Sequence, residues 1–243
     1  MFGIPKQLFS HVSSVAMHVV EGAELSADKT NYPVLLFSPG IRSTRFQSMT
    51  AIEELVSHGY IVVGMDHPYT SARVVFPDGR AILYQPEPEF PTSMGYYENN
   101  VKGIGIRVAD ASFVLDTLAD WNIKDPNQLF KGKLDLDHVG IFGHSYGGAM
   151  AAEALVQDKR FKAGVSLEGG FWGDVAHTGL QQPFMYLMTE GTAESLDPST
   201  MKKDKVFYEE FAPDLKSVMT KSTNDTYYLT IDHFYIKDLR ILR

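Results

Sequence analysis

Cysteine is absent from the 243 residues of this chain. Its absence excludes disulfide bonds, thiolate metal sites and a cysteine nucleophile. No run rich in lysine or arginine occurs, and the net charge is −8, so nucleic acid is not an expected partner. The acidic balance mainly favours solubility.

Long hydrophobic runs are missing as well. No stretch approaches the length of a transmembrane helix, and the first residues lack the apolar region of a signal peptide. We therefore expect a soluble protein without stable membrane insertion, either cytoplasmic or a trimmed secreted form, whose oligomeric state stays open. The 44% of hydrophobic and 21% of charged residues are typical of a globular protein with a large core.

Six short apolar runs end at turn residues, a pattern typical of strands in a parallel sheet covered on both faces. Helical patterns lie between them, and this alternation predicts a single, doubly wound α/β domain over residues 1–243. Residues 76–100, rich in proline and aromatic residues, predict either a long loop forming a partial cap or a surface excursion. The predicted strands are 34–38, 61–66, 139–142, 163–167, 184–189 and 227–231, and the predicted helices are 46–58, 101–121 and 146–157.

One motif carries chemistry, the sequence Gly143-x-Ser145-x-Gly147 between a predicted strand and a predicted helix. This context is typical of the nucleophile elbow of the α/β-hydrolase fold, in which a strained turn projects the serine above the sheet. The flanking glycines are needed because a Cβ at either position would collide with neighbouring backbone. The sequence therefore predicts that Ser145 is a nucleophile.

A serine nucleophile needs a base, and eight histidines compete for that role. In this fold the catalytic residues run in the order serine, acid, histidine, with the histidine after the last strand. His233 follows the last predicted strand and is the predicted base. His67 follows a strand and could line the site, but it precedes the serine; His177 lies close behind the candidate acid.

The sequence offers several candidates for the acid that orients the histidine. Glu168 ends the strand that follows the elbow strand, and Gly169 and Gly170 after it reduce crowding. The commoner location in this fold is one strand later, where Glu190 and Glu194 lie. Weaker rivals are Asp174 and Asp197.

These residues resemble the platelet-activating-factor acetylhydrolase family, within the dienelactone-hydrolase-like group of α/β-hydrolases. The family usually has an aspartate where this chain has Glu168. The resemblance rests on Leu36-Phe-Ser-Pro-Gly40, the following segment 54–67, Gly143-His-Ser-Tyr-Gly-Gly148, Val165-Ser-Leu-Glu-Gly169 and His233-Phe-Tyr-Ile-Lys-Asp238.

The resemblance implies a hydrolase of short-chain carboxylic esters that needs no metal or organic cofactor. Ser145 would attack the ester carbonyl, His233 would transfer the proton, and Glu168 would orient the imidazole. The backbone N–H groups of Ile41 and Tyr146 would form the oxyanion hole. Because ligands bind beyond the carboxyl ends of strands in such sheets, the candidate substrate-binding residues are His67, Tyr69, Phe171 and Trp172.

Other functions use the same fold. A polyester hydrolase or cutinase would place its acid after the later strand and often carries a disulfide. An acyltransferase or perhydrolase would use the same triad with an acceptor other than water. A non-catalytic binding module is the third alternative, since fold does not imply function.

Overall fold

A six-stranded parallel sheet organises the chain, with strand order β2-β1-β5-β6-β7-β8. The structure, a computed structural model, describes residues 17–90, 92–195 and 205–231. The large sheet consists of β1 (Tyr32–Ser38), β2 (Ile61–Gly64), β5 (Leu134–His144), β6 (Phe161–Leu167), β7 (Phe184–Thr189) and β8 (Thr226–Ile231), while β3 (Arg73–Val75) and β4 (Ala81–Leu83) form a separate antiparallel hairpin.

Helices connect the strands and cover the sheet. The central strands carry fully buried side chains such as Leu36, Ile141 and Phe161, and the small-residue helix α3 packs closely on β5 and β6. Burial of these apolar side chains on both faces is the main stabilising contribution. The helices are α1 (Met49–Ser57), α2 (Ser93–Ile123), α3 (Tyr146–Gln157), α4 (Val175–Thr178), α5 (Glu190–Ser195) and α6 (Lys205–Lys221).

The segment 76–100 differs from the predicted loop. It contains β4 and the first turns of α2, which begins at Ser93 instead of the predicted residue 101. The side chain of Thr92 accepts a hydrogen bond from the Gly95 amide at 3.1 Å and so caps the helix directly after Pro91. The predicted start at residue 101 was wrong because the last proline of the segment, Pro91, lies before the cap. The capped helix can therefore begin at Ser93, before the apolar residues on which the prediction relied.

The order in which the chain adds strands to the sheet changes direction between the neighbouring parallel strands β1 and β5. From β1 the chain proceeds outward to β2, whereas from β5 it proceeds in the opposite direction to β6, β7 and β8. The loops after β1 and β5 therefore diverge, and such a switch point is where open α/β sheets bind ligands.

Four non-glycine residues with left-handed φ lie in the segments that follow strands at this same edge of the sheet. They are Arg42 (φ 62°), Tyr69 (φ 69°), Ser145 (φ 53°) and Glu168 (φ 60°). In the part of the chain that the structure describes, the fifth such residue is Gln128, in the loop between α2 and β5. Backbone strain clusters at functional sites, so the carboxyl edge of the sheet is the place to search for one.

Among the helices that the structure describes, none combines the length and the apolar character that crossing a membrane requires.

Candidate active site

Ser145 occupies the sharp turn between β5 and α3. Its φ of 53° and ψ of −118° are unusual for a residue with a side chain, and its amide donates to the Leu167 carbonyl at 2.7 Å. A Cβ on Gly147 would lie 2.5 Å from the carbonyl carbon of Ser38 and 2.8 Å from the carbonyl oxygen of Pro39. The strand–turn–helix context and the crowded glycines are those required of a nucleophile elbow.

The loop after β1, residues 39–42, lies directly against this serine. A Cβ on Gly40 would be 3.4 Å from the Cβ of Ser145. The Gly40 amide donates to Gln47 Oε1 at 2.9 Å, and the Arg42 amide donates to the Thr70 carbonyl at 2.8 Å. The amide of Ile41, whose role as an oxyanion donor stays a prediction, therefore lies between two anchored neighbours.

Gln47 joins this loop to the elbow. Its Oε1 accepts from Gly40, so its Nε2 is the atom that faces Nδ1 of His144 at 2.7 Å. An amide N–H can only donate, which makes Nδ1 of His144 an acceptor and leaves the proton of a neutral ring on Nε2. His144 is thus engaged in supporting the site. The second predicted oxyanion donor, the Tyr146 amide, is the first of α3, and the first amides of a helix have no intrahelical acceptor.

Glu168 follows β6 and extends sideways to the end of β7. Oε1 accepts from the Thr189 amide, and Oε2 accepts from Thr192 Oγ1 at 2.5 Å. Burial raises the pKa of Glu168, while the bonds from Thr192 and Thr189 oppose the shift. The carboxylate therefore lies at the carboxyl end of β7, the strand after which Glu190 opens α5.

His233 lies outside the described residues, and its part in a triad stays a prediction. Strand β8, which precedes it, ends at Ile231, and Ile231 pairs with Thr189. The amide of Thr189 is the group that binds Glu168. Ile231, the last described residue of β8, thus pairs with the same residue whose amide binds the Glu168 carboxylate.

Other histidines that the structure describes have different positions or hydrogen-bond partners, away from the hydroxyl of Ser145. His138 hydrogen-bonds Asp135 at 2.8 Å on the exposed end of β5, and His177 is exposed at the end of α4. His67 is buried, with Nδ1 2.7 Å from Asp110 Oδ2 and Nε2 3.0 Å from Ser38 Oγ.

The four candidate substrate-binding residues are placed differently. His67 and Phe171 are 2% and 1% exposed, and Phe171 packs in the core against Phe184 and Tyr186. Such burial does not favour contact with a substrate. Trp172 is partly buried with its ring 5.8 Å from that of Tyr146, and Tyr69 is 50% exposed; both stay candidates.

Four residues that support the site were not predicted: Ser38, Gln47, Arg107 and Asp110. Arg107 offered a signal, because it lies on the helical face that also carries Ile104, Val108 and Ala111, all buried. A charge on an apolar helical face is rare and calls for partners. In the part of the chain that the structure describes, no cluster of three or more histidine, aspartate or glutamate residues is arranged to hold a metal ion.

The sheet, its flanking helices and the elbow define an α/β-hydrolase, which confirms the predicted fold class. A solved structure, the ferulic acid esterase from Streptomyces cinnamoneus, matches with a TM-score of 0.63 and 25% identity, covering 83% of this chain and 51% of that one. The family model described as platelet-activating factor acetylhydrolase, isoform II, matches residues 4–88 and 110–233. The chain belongs to this family, which confirms the resemblance.

Curated relatives agree with the family. A probable 1-alkyl-2-acetylglycerophosphocholine esterase from Arthroderma benhamiae is 34% identical over 165 residues, covering 66% of this chain and 38% of the relative. The platelet-activating factor acetylhydrolase of Cavia porcellus is 28% identical over 194 residues, covering 71% of this chain and 43% of the relative. The chain thus spans less than half the length of these relatives.

Proposed function

We propose that the chain is a carboxylic-ester hydrolase for short acyl groups, acting through an acyl-enzyme intermediate on Ser145. The observation that carries the proposal is the strained conformation of Ser145 beside the anchored loop 39–42. Strain at a single serine, held by crowded glycines, is what an exposed nucleophile requires and a structural serine does not.

The proposed reaction assigns one role to each of these groups. His233 removes the proton from Ser145 Oγ as the oxygen attacks the ester carbonyl, and it then protonates the leaving alcohol. The amides of Ile41 and Tyr146 stabilise the oxyanion, and the N-terminal end of α3 favours the same charge. Water then hydrolyses the acyl-enzyme by the reverse sequence of proton transfers.

Glu168 is proposed as the acid that orients His233. Its longer side chain reaches the end of β7, where Thr189 and Thr192 hold both carboxylate oxygens. Each oxygen retains a second lone pair for an imidazole N–H. The extra methylene relative to aspartate therefore serves to span from β6 to β7, toward the location that is commoner in this fold.

An acetyl ester is the proposed substrate class. Support comes from the names of the relatives, an acetylglycerophosphocholine esterase and an acetylhydrolase, and from the family match. That match favours the acetylhydrolase-like function over the cutinase-like alternative.

Hydrolysis of p-nitrophenyl acetate, butyrate and octanoate tests the proposal. We expect the acetate to react fastest, with a burst of p-nitrophenol that equals the enzyme concentration, because acylation precedes a slower deacylation. Ser145→Ala should abolish the burst and turnover with unchanged circular dichroism. Ser57→Ala, at the exposed end of α1, is the matched control and should behave as wild type. Activity retained in Ser145→Ala would refute the proposal.

A further inference from the structure

A buried serine–histidine–aspartate array, separate from the proposed triad, lies beneath the candidate active site. Asp110 of α2 contacts Nδ1 of His67 at 2.7 Å, and Nε2 of His67 contacts Ser38 Oγ at 3.0 Å. Ser38 and His67 are 0% and 2% exposed, so no substrate carbonyl can reach this serine. The array has the chemistry of a triad without access to a substrate.

Arg107 extends the array to the loop after β1. Its Nη1 donates to the Pro39 carbonyl at 2.6 Å and to Ser38 Oγ at 3.3 Å, and its Nη2 donates to Thr70 Oγ1 at 2.8 Å. The guanidinium also lies over the ring of Tyr146, 4.9 Å from its centroid. One side chain thus contacts β1, the loop after β2 and the residue that follows Ser145.

Donors and acceptors can be assigned consistently to every hydrogen bond between Asp110 and Arg107. A carboxylate at Asp110 accepts from Nδ1–H of His67, so Nε2 of the neutral ring accepts from the hydroxyl of Ser38. The Ser38 oxygen then has lone pairs free to accept from Arg107. Burial lowers the pKa of His67, although Asp110 and Asp66 oppose that shift, and this favours the neutral ring that the chain of bonds requires.

Stability alone does not account for a buried arginine at this position. Arg107 is 1% exposed, and burial lowers its pKa to about 10. Buried ionic groups can often be replaced by apolar ones without loss of stability. The position of its donors on the carbonyl that precedes Gly40 therefore points to a role in the geometry of the loop.

We propose that Asp110, His67, Ser38 and Arg107 form a positioning relay that holds residues 39–42 so that the Ile41 amide faces the oxyanion. These four are positioning residues, since they act through the loop and touch no reacting atom. The inference rests on the proposed function. It assigns His67 a role in transition-state stabilisation in place of the predicted contact with substrate.

Two conservative variants of His67 cut the relay on opposite sides. In His67→Asn the side-chain N–H can replace Nδ1 toward Asp110, but no atom replaces Nε2 toward Ser38. In His67→Gln the amide oxygen can replace Nε2 toward Ser38, and the bond to Asp110 is lost. His138→Asn is the matched control, because His138 makes the same Nδ1–carboxylate contact with its side chain 75% exposed.

The kinetic readout is kcat for p-nitrophenyl acetate per active site, counted with a fluorophosphonate, together with KM. We expect His67→Asn to lower kcat by about 10- to 100-fold with KM within about threefold, since an oxyanion donor acts only in the transition state. The loss in His67→Gln should be several-fold smaller, and His138→Asn should match wild type. Equal losses in the two His67 variants, or a change confined to KM, would overturn the proposal.

A second readout does not depend on activity. Hydrogen–deuterium exchange of the amides of Gly40 and Arg42 should accelerate in His67→Asn and stay unchanged in His138→Asn; unchanged exchange in both overturns the positioning role. If His67→Asn does not fold, Ser38→Ala, which removes only the hydroxyl oxygen, should give the same exchange result. If Ser145→Ala remains active, the proposed function is refuted. The positioning role is then tested by the hydrogen–deuterium exchange of the Gly40 and Arg42 amides alone.

Discussion

Gly147→Ala isolates the contact between the elbow and the loop after β1. The added Cβ would overlap the carbonyl oxygen of Ser38 and lie 2.5 Å from its carbonyl carbon, whereas ordinary contact begins at 3.4 Å, so the backbone must shift by roughly 1 Å or more. The shift falls on the residues directly before Gly40 and Ile41. A misplacement of about 1 Å can cost roughly 10²-fold, and we expect kcat to fall by about that factor.

The assay is kcat for p-nitrophenyl acetate per titrated site, with urea unfolding measured in parallel. Overpacking should also lower the free energy of unfolding by about 1–3 kcal/mol. Gly105→Ala in α2 is the matched control, because a Cβ there meets nothing within 4 Å; it should keep full activity and gain about 0.5–1 kcal/mol. A folded Gly147→Ala enzyme with kcat within a few-fold of wild type would refute the reasoning.

Two further predictions concern titratable groups. Glu168→Gln should lower kcat by as much as about 10⁴, as expected for loss of an orienting acid, while Glu190→Gln should change it only a few-fold; the reverse order would place the acid after β7. Burial holds the folded-state pKa of His67 below its ordinary value of 6.5, so the unfolded chain binds more protons between these pKa values. Relative to His67→Gln, wild-type stability in urea should therefore be full above 6.5 and fall as the pH drops toward the folded-state pKa; a difference independent of pH would contradict this.

The fold could be predicted because its signals are local. Buried parallel strands appear in the sequence as apolar runs that end at turns, and the run 184–189 was predicted with the bounds of β7. Strand β5 begins at Leu134, well before the predicted residue 139. Its first residues pair with the start of β1, but polar residues alternate with apolar ones there, so this part of the strand lacks the continuous apolar run on which the prediction relied. The elbow could be predicted because its glycines and serine are adjacent in the chain.

The supports of the site could not be predicted from spacing. Gln47 acts on Gly40 and His144, which are separated from it by 7 and 97 residues. Arg107 contacts Ser38 across 69 residues of sequence, and Asp110 contacts His67 across 43. A pattern within one helix indicates that Arg107 is buried, but it cannot indicate which loop carbonyl the guanidinium binds.

The left-handed residues at the carboxyl edge of the sheet have a consequence for how the protein can evolve. Each of Arg42, Tyr69, Ser145 and Glu168 costs about 1–3 kcal/mol relative to relaxed backbone, against a net stability of about 5–15 kcal/mol for a typical domain. The left-handed conformation of these residues thus consumes part of the reserve that absorbs destabilising mutations. Substitutions in the distant core, far from any substrate, will therefore reduce the amount of folded enzyme sooner than they would in an unstrained sheet.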